Sequence, residues 1–597
     1  MKNSLITYQK KLVFDPFDVV GHNGCGVEML AQKRFNEALN CFDKAITYQP
    51  KYSEAHYNRG RVLLRLNRLK DALASFKITL ELNPGNVGVY NVIALELINN
   101  DLLDEALNYL DEAIRIEPNN AEFHYNRGII FQRQQSFGLA LEAYKKALEI
   151  NPYYEFLFGR YLNMKLNSCN WDGIIDEIEL YIAQLEQGKP VTTPFVASIL
   201  LNRPELQQTS AQQYRRLKFS KHTEHHIERK SIPSQKIRIA YYSADFNNHA
   251  TEYLMARLFE LHDKSRFEVY AFSFGPNQED EMRERLIRSF DCFYTVRNKI
   301  DQEVARRSRE LGIDIAIDLK GYTGSHRAGI FAERCAPIQV NYLGYPGTMG
   351  AEFIDYIIAD DTLIPPELEQ HYTEKVIRLP DSYQPNDRQR VIANYTPTRA
   401  ELGLPEDAFV FCCFNNNYKI LPETFDSWIR ILNAVEGSVL WLLQGNPIAA
   451  KNLRKEAEAR GLDSKRLIFA KRAPLAEHLA RHQQADLFLD TFPCNAHTTA
   501  SDALWAGLPV LTHMGQSFAS RVAASLLRAA DLPELVTDSQ DGYERMAIHL
   551  ARNPDELRAL KNRLMHNRDT CALFDTESYV RNLEQAYQQI MCQKGFI

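Results

Sequence analysis

The chain has 597 residues, which is too long for a single hydrophobic core and predicts about three to four domains. Hydrophobic residues account for 45% of it, charged residues for 24%, and the formal net charge is −6. These values are ordinary for a globular protein and exclude a polybasic nucleic-acid-binding surface or an acidic tail. The N-terminus lacks a signal-peptide pattern and no stretch is as long as a membrane span. We therefore expect a cytoplasmic protein with neither nucleic-acid nor membrane partners.

The first quarter of the sequence repeats with a period of 34 residues. Four registers keep this period, namely a proline, an alanine, a small residue and a bulky residue: Pro50, Pro84, Pro118 and Pro152; Ala38, Ala72, Ala106 and Ala140; Gly26, Gly60, Ala94 and Gly128; Phe42, Phe76, Leu110 and Tyr144. The pattern resembles four tetratricopeptide repeats over residues 19–154, after an N-terminal segment 1–18. Each repeat would be a pair of helices ended by the proline, and the stacked pairs would form a superhelix.

A superhelix of this kind has a concave groove, in which we expect a protein or peptide partner to bind. Asn58 and Asn126 occupy the same position within their repeats, where an asparagine can hydrogen-bond a peptide backbone. Gly24 and Val92 occupy the equivalent positions of the other repeats, so a full asparagine ladder is not predicted. For each asparagine alone, a ligand contact and a plain place on the helix surface remain open.

Residues 155–234 keep a helical pattern but lose the period, and their polar end QQYRRLKFSKHTEHHIERKSIPSQK predicts a helical linker region. The cluster of His222, His225 and His226 suggests a metal site. We prefer the interpretation that these histidines are solvated, because such clusters on polar segments usually are. The ten cysteines contain no CxxC pair, which argues against a disulfide framework and favours reduced thiols.

From Lys236 onward, short apolar runs alternate with helical stretches, which predicts parallel sheets with crossover helices. One series falls in residues 235–385 and a second in residues 386–570, before a C-terminal helix in 571–597. Two doubly wound domains that face each other would hold a ligand in the cleft beyond their strand ends. GxGxxG, GxxxxGK[ST] and GxSxG motifs are absent from these parts, so the common remaining possibility is a glycosyltransferase of the GT-B architecture. The predicted fold is thus an α-superhelix followed by an α/β pair of Rossmann-like domains.

Two stretches of the second series favour an anion site. After the predicted strand DLFLD, His497, Thr498 and Thr499 stand at the start of a helix, whose unpaired backbone N–H groups can bind a diphosphate. Asp502 would then bind a ribose hydroxyl or, more simply, complete a capping box. In FCCFNNNYKI, Lys419 follows another strand and could neutralise a leaving phosphate, a task that other enzymes give to a metal. No DxD motif with a metal-binding context occurs, so we expect neither a metal nor another cofactor.

The motifs NNHATEYLM, GYTGSHRAGIF, APIQVNYLGYPGT, FNNNYKI, APLAEHLAR and CNAHTTASDALWAG, in this order behind the repeats, closely resemble the O-GlcNAc transferases of glycosyltransferase family 41. The resemblance spans nearly the whole chain. It implies inverting, metal-independent transfer of N-acetylglucosamine from UDP to serine or threonine hydroxyls of intracellular proteins. It also implies a set of donor-binding residues: Asn416, Lys419, Ala473, His478, Arg481, His497, Thr498, Thr499 and Asp502.

The resemblance gives several of these residues a role. Lys419 and the helix start at His497 would hold the diphosphate, Asp502 the ribose, and His478 the uracil with Arg481 beside it. His249 would face the acceptor, either as general base or as a group that positions the hydroxyl or sugar. The loop residues Tyr345, Pro346 and Gly347 would line the cleft.

The sequence also departs from the family pattern. Asn416 and Leu475 stand where vertebrate-like members have glutamine and lysine, and Tyr253 replaces a second histidine. The large insertion between the catalytic halves is missing, as in bacterial members. Two alternatives therefore stay open: a protein glycosyltransferase of the same family that uses UDP-glucose or GDP-fucose, and a tetratricopeptide adaptor whose catalytic half has decayed. Retention of His497 and His478 favours UDP over GDP.

Overall fold

The computed structural model describes residues 2–220 and 236–596. The chain divides into two compact units, Met1–Leu157 and Phe158–Ile597. The histidine cluster at 222–226 lies outside the described residues. Within the described part, no helix combines the length and apolarity needed to cross a bilayer.

The first unit consists of antiparallel helices joined by short turns. They are α1 (Lys2–Phe14), α2 (Val19–Ala31), α3 (Phe35–Tyr48), α4 (Ser53–Arg65), α5 (Leu69–Leu82), α6 (Val87–Asn99), α7 (Leu103–Ile116), α8 (Ala121–Arg133) and α9 (Phe137–Ile150). From α2 onward they form four pairs with the 34-residue spacing, as the tetratricopeptide pattern predicts. Within each pair the first helix ends at a residue with left-handed backbone, which reverses the chain: Lys33, Asn67, Asp101 and Gln135.

Close crossing of the helices explains the small residues of the repeat. A Cβ atom added at Gly60 would lie 2.5 Å from the ring of Phe76, and one added at Gly26 would lie 2.6 Å from the ring of Phe42. Both rings are completely buried. In the repeats that have a glycine at this position, the bulky residue therefore fills the space that the glycine leaves, and the two registers depend on each other.

The asparagines of the repeats lie in pairs. Asn58 Nδ2 donates to Asn23 Oδ1 at 3.0 Å, and Asn126 Nδ2 donates to Asn91 Oδ1 at 2.8 Å. Asn23 and Asn91 precede the positions of Gly24 and Val92 by one residue, so period counting alone did not find them. The amides of Asn58 and Asn126 are thus fixed by neighbouring repeats.

The second unit begins with helices that pack against the sheets. They are α10 (Leu157–Asn167), α11 (Ile174–Glu186), α12 (Pro194–Leu200) and α13 (Pro204–Lys218). The ring of Trp171 packs edge-on against Phe425, and Asn202 Oδ1 accepts from the backbone of Gln516 at 2.6 Å. We expected residues 155–234 to be a linker, but their described helices belong to the unit that contains the sheets.

Two parallel sheets form the body of this unit. The seven-stranded sheet has the order β3-β2-β1-β4-β5-β6-β7, and the six-stranded sheet has the order β10-β9-β8-β11-β12-β13. Their strands are β1 (Ile237–Ser243), β2 (Phe267–Ser273), β3 (Cys292–Thr295), β4 (Ile315–Asp318), β5 (Ile338–Asn341), β6 (Tyr356–Ala359), β7 (Lys375–Arg378), β8 (Val410–Cys413), β9 (Val439–Leu443), β10 (Leu467–Ala470), β11 (Leu487–Leu489), β12 (Val510–His513) and β13 (Val536–Thr537). Each sheet therefore has a Rossmann-like order: successive strands are added on one side of the first strand and then on its other side, so the strand order reverses there.

Helices cover both sheets. They are α14 (Ala250–Leu261), α15 (Glu281–Ser289), α16 (Asp301–Glu310), α17 (Ala328–Ala332), α18 (Pro422–Ala434), α19 (Pro447–Ala459), α20 (Leu475–Arg481), α21 (Thr498–Trp505), α22 (Val522–Ala529), α23 (Gln540–Arg552), α24 (Pro554–Asn567) and α25 (Thr576–Gln593). The last of them, α25, returns to the first sheet, where Leu583 and Tyr587 are buried in its core. Glu584 on α25 accepts from His262 at 2.9 Å, which fixes the helix there.

Candidate functional site

The reversal point of the second sheet brings the two predicted stretches together. Strands β8 and β11 are neighbours on opposite sides of this point, and Phe411 pairs with Leu487. Asn415 follows β8 and Asp490 follows β11, so both lie at the carboxyl edge of the sheet. In open α/β sheets ligands bind at this edge, where loops diverge and leave a crevice.

The carboxylate of Asp490 organises the loop that precedes α21. Its Oδ1 accepts from the backbone N–H of Thr491 at 2.7 Å and of Ala496 at 2.6 Å, and its Oδ2 accepts from Thr512 Oγ1 at 2.7 Å. Asp490 is only 3% exposed. Burial raises its pKa to about 6, although these hydrogen bonds oppose the increase. Residues 491–496 therefore wrap around one buried carboxylate, and this holds the start of α21 in place.

His497, Thr498 and Thr499 lie at the start of α21, as predicted. Burial first, and then the charge of Lys419, lower the pKa of His497 well below its usual value, while a hydrogen bond to the backbone of Ala519 opposes this. The free imidazole is therefore neutral at pH 7. Its Nε2 atom is buried and has no hydrogen-bond partner among the described residues. Thr499 Oγ1 donates to Asn415 Oδ1, which ties the helix start to β8.

Lys419 lies beside this helix start, in the 3₁₀ turn Asn417–Lys419. Its Nζ donates to the backbone oxygen of Asn495 at 2.5 Å. Burial lowers the pKa of Lys419, but neighbouring ionisable groups, Cys494 first, outweigh this, and the net pKa is raised. The ammonium group is thus charged, and it lies within electrostatic reach of His497.

Asp502 lies one turn into α21 and pairs with a residue that the sequence did not suggest. Arg390 Nη1 donates to Asp502 Oδ1 at 2.6 Å. Burial raises the pKa of Asp502, although the guanidinium of Arg390 opposes this. The simpler of the two predicted roles was a capping box, but the side chain of Asp502 makes no such hydrogen bond to the start of α21.

Helix α20 carries the residues expected at the base, and it contacts α21. The ring of His478 lies 5.4 Å from the ring of Phe414, and the guanidinium of Arg481 lies 4.7 Å from the centre of the same ring. Arg481 Nη2 contacts His478 Nδ1. Burial lowers the pKa of His478 far below its usual value, so the ring is neutral. Ala473 is half-buried just before α20, and Asn416 is exposed.

His249 is the residue that precedes α14, and this helix contacts α21. His249 Nδ1 accepts from the backbone N–H of Thr251 at 3.3 Å and lies 3.6 Å from Asp245 Oδ2. Asp245 in turn accepts from Lys320 Nζ at 2.6 Å. Burial lowers the pKa of His249; the charge of Lys320 adds to this, and that of Asp245 opposes it. The structure thus places a neutral histidine at the start of α14, in the half of the unit that contains the seven-stranded sheet (the first half), and α14 contacts α21.

The comparisons with known proteins fit this geometry. A family model described as Glycosyl transferase family 41 matches residues 215–397 and 391–583. The chain belongs to glycosyltransferase family 41. Tetratricopeptide repeat models match residues 28–87, 102–135 and 121–154. The family and the repeats that the sequence motifs indicated are therefore confirmed.

Relatives of this family 41 protein include the Arabidopsis thaliana protein "Probable UDP-N-acetylglucosamine-peptide N-acetylglucosaminyltransferase SEC". It is 40% identical over 359 residues, which cover 59% of the chain and 37% of the relative. A UDP-N-acetylglucosamine-peptide N-acetylglucosaminyltransferase of Caenorhabditis elegans is 31% identical over 478 residues, which cover 61% of the chain and 42% of that relative. The chain thus spans about two fifths of the length of these relatives.

A solved structure resembles the family 41 protein over almost its entire length. It is a mutant of the Thermobaculum terrenum O-GlcNAc transferase, which is 26% identical, with 97% of this chain and 98% of that chain covered and a TM-score of 0.66. The predicted fold class, repeats followed by parallel-sheet α/β domains, is confirmed by this similarity.

One set of predicted residues is placed differently from the expectation. Tyr345, Pro346 and Gly347 were expected to line the cleft, but all three are buried, and Tyr345 is only 2% exposed. The loop is drawn inward because Glu374 accepts from Thr348 Oγ1 and from the backbone of Met349, each at 2.6 Å. In this family 41 protein Tyr345 therefore belongs to a core cluster beside the first sheet.

Proposed function

We propose that this protein transfers N-acetylglucosamine from UDP-GlcNAc to serine or threonine hydroxyls of proteins, with inversion and without a metal. The observation that carries the proposal is the convergence of three groups at the reversal point of the second sheet. These are the ammonium of Lys419, the unpartnered Nε2 of His497 and the first turn of α21. The relatives named above as peptide N-acetylglucosaminyltransferases support the choice of donor and acceptor.

The diphosphate of the donor would lie on the start of α21. The first backbone N–H groups of a helix have no partner within the helix and carry the positive end of its dipole, so they bind anions. Lys419 Nζ donates one proton to Asn495 and also contacts the thiol of Cys494, which leaves a proton for a phosphate oxygen. The hydroxyl of Thr498 would add a further donor. These groups supply positive charge at the leaving group, which is where negative charge develops in the transition state.

The nucleoside would extend from the diphosphate along α20 and α21. Asp502 would accept from a ribose hydroxyl through Oδ2, which receives no hydrogen bond from the described residues. His478 is a neutral ring held between Phe414 and His482, and it offers a flat face for uracil. Arg481 fixes that ring, while Ala473 and Asn416 border the same space. Leu475 removes a charged contact at the base edge, so we expect the base to be bound mainly by shape.

The transfer would be a single displacement. The hydroxyl oxygen of the acceptor attacks the anomeric carbon, and the bond between that carbon and the phosphate oxygen breaks with its electron pair, so UDP leaves. The proton of the hydroxyl leaves the acceptor in the same process. His249 would face the acceptor from the first half, where it orients the hydroxyl or receives this proton. We propose that the groove of the tetratricopeptide repeats holds the acceptor protein.

The decisive experiment is mass spectrometry of a cell lysate after incubation with the enzyme and one donor at a time. The donors are UDP-GlcNAc, UDP-glucose and GDP-fucose. We expect a hexosamine on serine or threonine with UDP-GlcNAc only. Replacing Lys419→Ala should lower transfer by about 100-fold to 1000-fold, the usual effect of losing one electrostatic contact to a developing charge.

The exposed Lys451 on α19 provides a matched control, because Lys451→Ala removes the same charge elsewhere on the same sheet unit. It should leave transfer unchanged. Transfer from UDP-glucose or GDP-fucose instead would assign another donor. Failure with every donor, together with no UDP binding in calorimetry, would contradict the proposal and favour an adaptor.

A further inference from the structure

The chain segment that joins the two sheets contacts the donor helix directly. Gln384 Nε2 donates to Ser501 Oγ at 2.5 Å, and Arg390 pairs with Asp502 at 2.6 Å. Ser501 and Asp502 are successive residues of α21. Residues 384–390 therefore touch the turn of α21 that follows His497, Thr498 and Thr499, and they do so from outside the second sheet.

Arg390 is held in one orientation. Its Nε donates to the backbone oxygen of Asp387 at 3.2 Å, and its Nη2 donates to Asn386 Oδ1 at 3.3 Å. The guanidinium lies 5.7 Å from the centre of the Trp505 ring, whose Nε1 donates to the Arg390 carbonyl at 3.1 Å. The Arg390 side chain is 2% exposed and that of Asp502 is 9% exposed. A buried pair of this kind is specific in geometry, because removing either partner would leave an uncompensated charge in the interior.

The other end of the segment is anchored in the first half. Asp387 accepts from Arg285 Nη1 on α15 at 2.6 Å, and Arg285 Nε donates to Glu260 on α14 at 2.6 Å. A continuous series of contacts thus runs from α14, whose start is His249, through Asp387 and Arg390 to Asp502. Of the residues that make these contacts, Asp502 alone was singled out by the sequence.

We propose that Arg390 is a positioning residue that holds Asp502 in the orientation required to bind the ribose hydroxyls of the donor. The inference rests on the proposed function, since it assumes a nucleoside diphosphate at α21. Arg390 occupies Oδ1 of Asp502, and Oδ2 receives no hydrogen bond from the described residues. The guanidinium therefore fixes one carboxylate oxygen and presents the other to a hydroxyl. Without Arg390, the buried carboxyl would bind a proton and lose both its charge and its fixed orientation.

Calorimetry with two probes tests this role. The probes are UDP and 2′,3′-dideoxy-UDP, which lacks the hydroxyls that Asp502 would bind, and the proteins are the full-length wild type and Arg390→Met. We expect Arg390→Met to weaken UDP binding by about 10-fold to 30-fold, the cost of a hydrogen bond to a charged group. The affinities of the wild type and of Arg390→Met for dideoxy-UDP should agree within about twofold. Loss of the ribose hydroxyls and loss of Arg390 remove the same interaction, so their effects are not additive.

The dideoxy probe also separates positioning from folding, because its retained binding shows that the variant site is intact. If Arg390→Met is not stable, Arg390→Lys provides the measurement, since it keeps the charge but loses the contacts of Nε and Nη2. An equal loss for both probes, or no loss for UDP, would overturn the inference. Absence of UDP binding to the wild type would instead contradict the proposed function. With transfer as readout, Arg390→Met should raise the KM for the donor and leave kcat within about threefold.

Discussion

The two halves of the second unit, one around each sheet, share the same strand order. In each half a histidine stands at the start of a helix at the carboxyl edge of the sheet, yet the two histidines are held differently. In the second half, the loop before His497 is folded around the buried Asp490 and tied to β8 through Thr499. In the first half, His249 is held by one hydrogen bond of 3.3 Å, and its side chain is 44% exposed. The second half has a rigid site, whereas the first half presents an open one.

This difference fits the two substrates of the proposed reaction. The nucleoside diphosphate is the same molecule in every reaction, and a preorganised site binds it with little cost in side-chain ordering. Acceptor proteins vary in shape, so a histidine that is free to adjust suits them better. We therefore expect changes in the second half to reduce donor affinity and changes in the first half to reduce the rate. Lys419→Ala, discussed above, has the largest expected effect because it acts on the developing charge itself.

Asp490→Ala tests the rigidity of the second half. The substitution leaves the backbone N–H groups of Thr491 and Ala496 buried without an acceptor, so the loop should rearrange. We expect UDP affinity to fall by about 30-fold to 100-fold, equivalent to about 2–3 kcal/mol. Titration calorimetry measures this. Asp490→Asn keeps one acceptor and should recover part of the loss.

The exposed Asp555 on α24 provides the matched control, because Asp555→Asn changes the same group far from the loop. Its UDP affinity should equal that of the wild type. If Asp490→Ala bound UDP as tightly as the wild type, the loop would not depend on this carboxylate, and the contrast between the halves would disappear.

His249→Gln tests the open half. We expect the transfer rate at saturating donor to fall by about 10-fold to 100-fold, at or below the lower end of general-base effects. UDP affinity should stay within about twofold, because His249 lies in the first half, outside the proposed diphosphate site at α21. Steady-state kinetics and calorimetry on the same preparation measure the two quantities. His566→Gln, on the exposed face of α24, is the control. If His249→Gln lowered UDP affinity as much as the transfer rate, the two halves would not have separate effects on donor binding and on the rate.

The sequence predicted those features that depend on contacts between residues close together in the chain, or on contacts that recur from repeat to repeat. The repeats could be predicted because Gly60 and Phe76 contact each other within a single 34-residue unit, and the equivalent contact recurs at Gly26 and Gly128. His497 and Lys419 could be predicted because each lies in the segment that follows a strand, and parallel strands place their ends at one edge. The chemistry of these residue types then indicated an anion site.

Features that depend on distant partners could not be predicted in this way. Arg390 lies in an irregular stretch with no periodicity, and its partner Asp502 is 112 residues away. The Tyr345 loop is drawn inward by Glu374, whose hydrogen bonds leave no trace in the motif itself. The helices after residue 155 were interpreted as a linker because they lack the 34-residue period, and because a partner such as Phe425, which Trp171 contacts, lies far along the chain. Asp490 is the last residue of the predicted strand DLFLD, but its role depends on how the loop after it folds around its carboxylate.

The protonation of His497 gives the test of the second half with the smallest expected effect. Its hydrogen bond to the backbone of Ala519 raises the pKa of the ring, as expected when a ring N–H donates to a carbonyl. In the neutral ring Nε2 then lacks a proton and cannot donate to a phosphate oxygen. Bound diphosphate places negative charge beside the ring and raises its pKa again. UDP binding should therefore take up a proton at His497.

The sign of the pH dependence follows from this uptake. The pKa of His497 in the free protein is well below 6.5, so the free ring stays neutral at pH 7 and above. Because only the complex gains a proton, UDP affinity should decrease as the pH rises from 7.0 to 8.5, by about threefold to fivefold and at most tenfold per pH unit. Phosphate itself titrates near pH 6 and contributes little in this range. Calorimetry in two buffers of different ionisation enthalpy counts the protons, and His497→Asn should abolish the uptake. A pH-independent affinity would show that the ring binds UDP in its neutral form and gives up the Ala519 contact, so that this loop is less rigid than its hydrogen bonds indicate.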